Sequence, residues 1–302
     1  MPDCLRGVEP PYGFPMCAKS GRVVVIRSGG LGDFVLTLPF VRELGRRFAD
    51  VALVTRASHW KIIERDGFAS QCVDVDSADF ASLLSAPSSR MRELLSETSV
   101  FSFLPDPEQD LEAAARKCGA RRFTTLDAKP KTPPHVTRRM FIQAGMPAPE
   151  RLLEISCLER QTTGDHLWLH PGSGSPAKNA PLELFARHAR RWREETGLAL
   201  TVSFGEADLR LVEPMRRLLE GLPCRFEVTP DPLELRTKLE DQAARFVGND
   251  SGVTHLAAAL GLPTEAYFVS TDPEIWAPLG KRVTVTRLRR PGAAEQAPEN
   301  AG

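Results

Sequence analysis

The chain is 302 residues long, 42% hydrophobic and 26% charged, which makes it globular and gives it room for two domains of ordinary size. Its 39 basic and 39 acidic residues cancel, which argues against a dedicated nucleic-acid binder, whose surface would carry a basic surplus. No apolar run approaches the roughly 18 residues of a membrane-spanning helix. The six cysteines show neither a Cys-x-x-Cys pair nor zinc-finger spacing, so reduced thiols in a cytosolic compartment are expected.

Residues 1–20 carry proline and charge but no apolar core of a signal peptide, and read as an irregular extension. Val23–Ile26 is a short β-branched run, expected for a strand buried on both faces. After a glycine-rich turn, Leu36, Phe40, Leu44 and Phe48 recur at helical spacing. Val51–Val54, Cys72–Val75 and Val100–Phe103 read as further strands, with helical pieces at Arg90–Ser96 and Leu111–Cys118. Three prolines in Asp127–Pro134 and two more in Gly145–Glu150 break the rhythm around a helix-like His135–Ala144.

The rhythm then restarts. Strands are expected at His166–His170, Ala199–Phe204, Cys224–Val228, Phe246–Val247 and Thr264–Val269. Helices are expected at Leu182–Glu195, Leu209–Glu220, Leu233–Asp241 and Val253–Leu260, and the tail after Leu288 reads as mobile. The pattern predicts an α/β fold of two Rossmann-like parallel-sheet halves facing across a cleft, with the boundary near residues 146–165. Open parallel sheets bind ligands at the carboxyl ends of their strands, and the motifs of interest all fall there.

Gly248-Asn249-Asp250-Ser251-Gly252-Val253-Thr254-His255 runs from a strand through a tight turn into a helix. The unpaired N–H groups and dipole of that helix start suit a phosphate, with Ser251 and Thr254 adding hydroxyls and His255 one turn in. The same residues also suit an ordinary helix cap at Asp250 or Ser251. Arg27-Ser28-Gly29-Gly30-Leu31-Gly32-Asp33 follows the first strand, and Gly30 and Gly32 only partly match a dinucleotide fingerprint, because Val35 takes the third glycine position. Asp33 either stabilises its own helix, by about 0.3–1 kcal/mol, or serves as a catalytic base facing the cleft.

His170-Pro171-Gly172-Ser173-Gly174-Ser175-Pro176-Ala177-Lys178 offers hydroxyls and a mobile cation to a phosphate, without the ending of a Walker loop. Glu206 and Asp208, after the strand ending at Phe204, are candidates for ribose hydroxyls or for helix-start acids. Ser270-Thr271-Asp272-Pro273 with Trp276 either closes over a sugar or forms a capped turn. Asp74-Val75-Asp76 is too short and common a pattern to indicate a metal, and His59, His135, His166 and His188, which lack ligand spacing, read as surface or helix-packing residues; no metal site is expected.

Arg27–Pro39, His170–Lys178 and Val247–Pro263, in this order, resemble the ADP-heptose:lipopolysaccharide heptosyltransferases, the family 9 glycosyltransferases. The resemblance spans roughly Arg22–Arg287 and implies the GT-B fold. The chain is expected to divide into an extension at residues 1–21, domains over 22–148 and 149–288 and a tail over 289–302, and the resemblance implies that the first domain takes the acceptor and the second the nucleotide sugar. It further implies inverting transfer of a sugar from a nucleotide-diphosphate donor, ADP-heptose, to a glycan or lipopolysaccharide-type hydroxyl. Asp33 matches the family's catalytic aspartate and Lys178 its phosphate-contacting lysine. Ser173, Asp250, Ser251, Gly252 and His255 belong to the donor site, with Glu206 or Asp208 near the ribose. Gly30, Gly32, Thr271 and Asp272 fall on the acceptor side or cleft.

No tightly bound cofactor is implied. The expected partners are the nucleotide sugar and a glycan or glycolipid acceptor, with a cytoplasmic monomer visiting the inner membrane surface. The sequence departs from the family at Asn179-Ala180-Pro181 and Val269-Ser270, and its first half shows no obvious basic acceptor patch. Two other functions compete: a catalytically weak relative that only binds nucleotide sugars, and an NADP-dependent oxidoreductase using the first glycine turn with Arg56.

Overall fold

The computed structural model describes residues 19, 21–159, 163–228 and 231–288; the expected extension and tail lie outside these, apart from Lys19 and Gly21. The first lobe holds strands β1 (Arg22–Arg27), β2 (Asp50–Thr55), β3 (Gln71–Asp74), β4 (Thr98–Ser102) and β5 (Arg122–Thr125). Its helices are α1 (Leu31–Arg47), α2 (Ala57–Ile63), α3 (Ala78–Ala81), α4 (Ser89–Leu95), α5 (Asp110–Lys117) and α6 (Val136–Gln143). The second lobe holds β6 (His166–His170), β7 (Leu200–Phe204), β8 (Arg225–Val228), β9 (Ala243–Asn249), β10 (Thr264–Phe268) and β11 (Val283–Arg287). Its helices are α7 (Leu182–Thr196), α8 (Val212–Leu218), α9 (Pro232–Gln242), α10 (Gly252–Ala259) and α11 (Pro273–Trp276).

Both sheets are wholly parallel, in the orders β3-β2-β1-β4-β5 and β11-β10-β9-β6-β7-β8. Each therefore reverses direction beside its first strand, between β1 and β4 and between β6 and β9. Chain segments leaving neighbouring strands there diverge to opposite faces of the sheet and open a crevice. The strand reading holds for nine of these elements. The two it lacks, β5 and β11, have mostly exposed or half-buried residues and no apolar run to reveal them. The helix expected at Leu209–Glu220 begins instead as a 3-10 turn over Glu206–Leu211 before α8.

β1 shows why the central strands are so apolar. Val23 and Val25 enter one core cluster while Val24 and Ile26 enter another on the opposite face, so no position can be polar until the strand ends at Arg27. The first of these clusters does not stop at the lobe boundary. It joins α1 and β1 to Trp168, Leu235, Leu239, Phe246 and Leu256 of the second lobe. Arg236 of α9, fully buried, adds a polar clasp: it pairs with Asp66 of the first lobe at 3.1 Å and with Glu240 at 2.9 Å, and donates to the Ile62 carbonyl. A continuous apolar contact of this kind restrains relative lobe motion. Among the described residues no helix is long and apolar enough to cross a membrane.

Candidate active site

A cavity of about 750 Å³ opens between the carboxyl ends of the two sheets. Gly30, Leu31, Gly32, Asp33 and Leu36 line it from the first lobe, with Lys129, Pro130 and Lys131 from the loop after β5. His170, Ser173, Lys178, Glu206, Asp208, Asp250, Ser251, Gly252, His255, Thr271 and Trp276 line it from the second. Of the residues singled out in the sequence, Arg56, Ser175, Thr254, Ser270 and Asp272 do not line it. Asp272 accepts the Glu274 N–H at 3.1 Å and caps α11, the capped-turn alternative.

Asp33 stands three residues into α1, its side chain 29% exposed at the cavity wall. Its Oδ2 accepts the Gly30 N–H at 3.0 Å and its Oδ1 accepts from Arg27 Nη2 at 3.0 Å. The helix-stabilising alternative is thus realised, and it coexists with a position on the cavity. A carboxylate already fills the anion-binding start of α1, where a dinucleotide pyrophosphate would have to rest.

On the opposite wall, Asp250 is almost fully buried and receives Lys178 Nζ at 2.7 Å and the Thr271 hydroxyl at 2.6 Å, with His255 Nε2 at 3.5 Å. Burial alone would raise its pKa, but His255 and Lys178 outweigh that and hold it well below the usual carboxylate range. Lys178 is therefore held at the wall by an acid, a pairing that spacing in the sequence does not reveal. Ser251 is the N-cap of α10, its hydroxyl accepting the Thr254 N–H at 3.3 Å. Asn249, fully buried, ties the end of β9 to the loop after β6 by accepting from Ala180 N at 2.9 Å and donating to the Pro171 carbonyl at 2.7 Å. Both segments of the second lobe's crevice are thereby locked together.

The two acids after β7 separate cleanly. Asp208 is 2% exposed and accepts the Ser173 and Gly174 N–H groups at 3.4 and 3.3 Å; it shapes the loop and packs where Gly172 leaves room for it. Glu206 is exposed at the cavity, and its side chain has no hydrogen bond or ion pair among the described residues. Ser173 turns its hydroxyl inward, 2.7 Å from the Ser175 carbonyl and 2.5 Å from Asn179 Oδ1.

Gly32 and Gly252, which both line the cavity, also let α1 and α10 meet. A β-carbon on Gly252 would lie 2.8 Å from Leu31 Cβ and 3.0 Å from the Gly32 nitrogen. Several cavity residues escaped the sequence reading. Lys129 and Lys131 supply the basic character that the first half lacked on paper, from the proline-rich stretch read only as a break. His170 lines the cavity with its Nδ1 3.0 Å from the Ser203 hydroxyl, and burial pushes its pKa down to about 4. His59 and His135 are buried, the packing alternative of the two read for them. No group of three or more His, Cys, Asp or Glu side chains among the described residues is placed to hold a metal ion.

The solved structure of the glycosyl transferase family 9 protein from Veillonella parvula DSM 2008 is 20% identical, over 90% of this chain and 88% of its own, with a TM-score of 0.66. E. coli ADP-heptose lps heptosyltransferase II is 17% identical over 89% of this chain and 91% of its own, with a TM-score of 0.66. E. coli heptosyltransferase WaaC with ADP is 18% identical over 88% and 93%, with a TM-score of 0.64. At such identities the likeness establishes the GT-B fold. No curated protein matches the sequence. The sequence model of glycosyltransferase family 9 (heptosyltransferase) matches residues 128–301, which takes in the loop carrying Lys129 and Lys131 and the whole second crevice. With more than half of its length in that match, the chain belongs to glycosyltransferase family 9, the heptosyltransferases, and is a glycosyltransferase.

Proposed function

We propose that this glycosyltransferase moves a heptose from ADP-heptose to a glycan or lipopolysaccharide-type hydroxyl, with inversion at the anomeric carbon. One observation carries the reading: the Asp33 carboxylate and the Lys178–Ser251 wall face a single cavity from opposite lobes. The structure of WaaC with ADP, a relative in fold, supports an adenine nucleotide as the donor's carrier.

The diphosphate rests against the start of α10, whose N–H groups and dipole favour anions, with Lys178 turning from Asp250 to the phosphates. Glu206 accepts from the ribose hydroxyls, since Asp208 is committed to the loop. The acceptor enters beside Asp33, between the first lobe and Lys129 and Lys131. Its hydroxyl oxygen attacks the anomeric carbon from the face opposite the diphosphate. The new C–O bond forms as the bond to the diphosphate oxygen breaks, the hydroxyl proton passes to Asp33, and ADP leaves with the electron pair. Donors fixed in place before the reaction stabilise charge as it develops on the leaving group, worth several kcal/mol. Both walls come from one chain, which supports action as a monomer.

The test is a screen of nucleotide sugars for release of nucleoside diphosphate, followed by Asp33→Asn with the best donor. The expected result is preference for ADP-heptose, with ADP binding preserved and turnover at least about 100-fold lower in the variant, the lower range for loss of a general base. Turnover close to that of the unaltered protein would remove Asp33 from the role.

A further inference from the structure

We propose that Arg27 is a positioning residue for sugar transfer: its buried guanidinium clamps the Asp33 carboxylate in the orientation that faces the cavity. This rests on the reading of Asp33 as the base.

Arg27 ends β1 and is only 3% exposed. Its Nη2 holds Asp33 Oδ1 at 3.0 Å, and its Cζ sits 4.3 Å from the centre of the Phe103 ring. Phe103 directly follows β4, so arginine and ring come from the two strands that flank the crevice of the first sheet. Burying a guanidinium is unfavourable unless it is paired, and Arg27 Nε has no partner. Asp33 supplies its ion pair, and the ring face fixes the plane of the fork.

A carboxylate that merely caps a helix needs no such partner. The Gly30 N–H already meets that need through Oδ2. With Oδ1 held from β1 and Oδ2 from the start of α1, the carboxylate cannot rotate, while each oxygen keeps a lone pair for a hydroxyl proton. Gly29 leaves the room this needs, since a β-carbon there would lie 2.6 Å from Asp33 Oδ2.

The test compares Arg27→Gln, Arg27→Lys, Asp33→Asn and the Arg27→Gln/Asp33→Asn double variant of the full chain. Turnover of ADP-heptose is measured alongside calorimetric affinity for ADP. Arg27→Gln is expected to lower kcat about 100-fold, the effect of displacing a reacting group by about 1 Å, with ADP affinity unchanged. Arg27→Lys restores part of the loss, and in the Asp33→Asn background Arg27→Gln costs nothing further. Losses that multiply in the double variant, or a near-normal kcat in Arg27→Gln, overturn the proposal while leaving Asp33 as the base. Near-normal turnover by Asp33→Asn overturns both. Should Arg27→Gln not fold, Phe103→Leu carries the test: a lower kcat at unchanged ADP affinity supports the clamp, and an unaltered kcat overturns it.

Discussion

Gly32 at the start of α1 and His255 in α10 press together across the lobes: a β-carbon on Gly32 would lie 2.8 Å from His255 Cδ2. The two helix starts thus meet at the floor of the cavity, and His255 reaches Asp250 from the same spot. Gly32→Ala is expected to destabilise the protein by about 1–3 kcal/mol, the usual effect of overpacking, and to lower turnover by splaying the walls apart. Thermal melting and donor turnover check it together. An unchanged melting temperature would mean that the contact yields without cost.

Lys178 lies between an acid and the cavity. Replacing it with alanine removes a cation from the phosphate wall but leaves the nucleoside pocket intact. Lys178→Ala is expected to weaken ADP binding by at least about tenfold, equivalent to about 1.4 kcal/mol, and adenosine binding by far less. Equal losses in the two calorimetric titrations would contradict the phosphate assignment.

Asp208 and Glu206 are two residues apart and are expected to behave in opposite ways. Asp208→Ala leaves the Ser173 and Gly174 N–H groups without their acceptor and is expected to cost about 1–3 kcal/mol of stability. Glu206→Ala, at an exposed position, is expected to change stability by no more than about 0.5 kcal/mol, as for most surface substitutions. It should nonetheless weaken ADP binding more than binding of the 2′,3′-dideoxy analogue. A reversed pattern would exchange the two roles.

Acid should destabilise the fold in two stages. Burial pushes His59, His135 and His170 each down to about 4, with Arg56 adding to the effect at His59. The unfolded chain protonates its histidines from about 6.5. Between these values the unfolded state binds more protons, so stability is present in full above about 6.5 and is lost as pH falls toward 4. The slope approaches about 1.4 kcal/mol per pH unit for each histidine. Asp250, held below its ordinary range, adds a second loss below about pH 4, where the unfolded carboxylate protonates first. Melting temperatures measured from pH 7.5 to 4.5 check the first stage. A flat profile across that interval would show that the histidines protonate in the folded state.

The legible part of the site was the part written in contiguous residues. Glycines and hydroxyls after an apolar run mark a strand–turn–helix wherever they occur, and Ser251, Asp33 and Lys178 could be assigned to crevice-facing turns on that basis alone. Roles that depend on a distant partner were not legible. Glu206 and Asp208 look alike in sequence, and only the return of the Gly172–Gly174 loop onto Asp208 separates them. Lys129 and Lys131 sat in a stretch that reads as a break, because nothing local shows that it folds back over the cavity. The edge strands β5 and β11 escaped because an edge buries little and so needs no apolar run.

The amino-acid order by itself determined the alternation of apolar strands with amphipathic helices, hence two parallel sheets with their turns collected at the carboxyl ends. That information is local: periodicity, β-branching and glycine act within a few residues. Only the tertiary structure decided which charges met. Arg27 on Asp33 and Phe103, Lys178 on Asp250, Arg236 on Asp66, and Gly32 against His255 are all choices made by packing. A charge is buried only where the fold delivers its counterion, and that delivery depends on how strands far apart in the chain are ordered side by side.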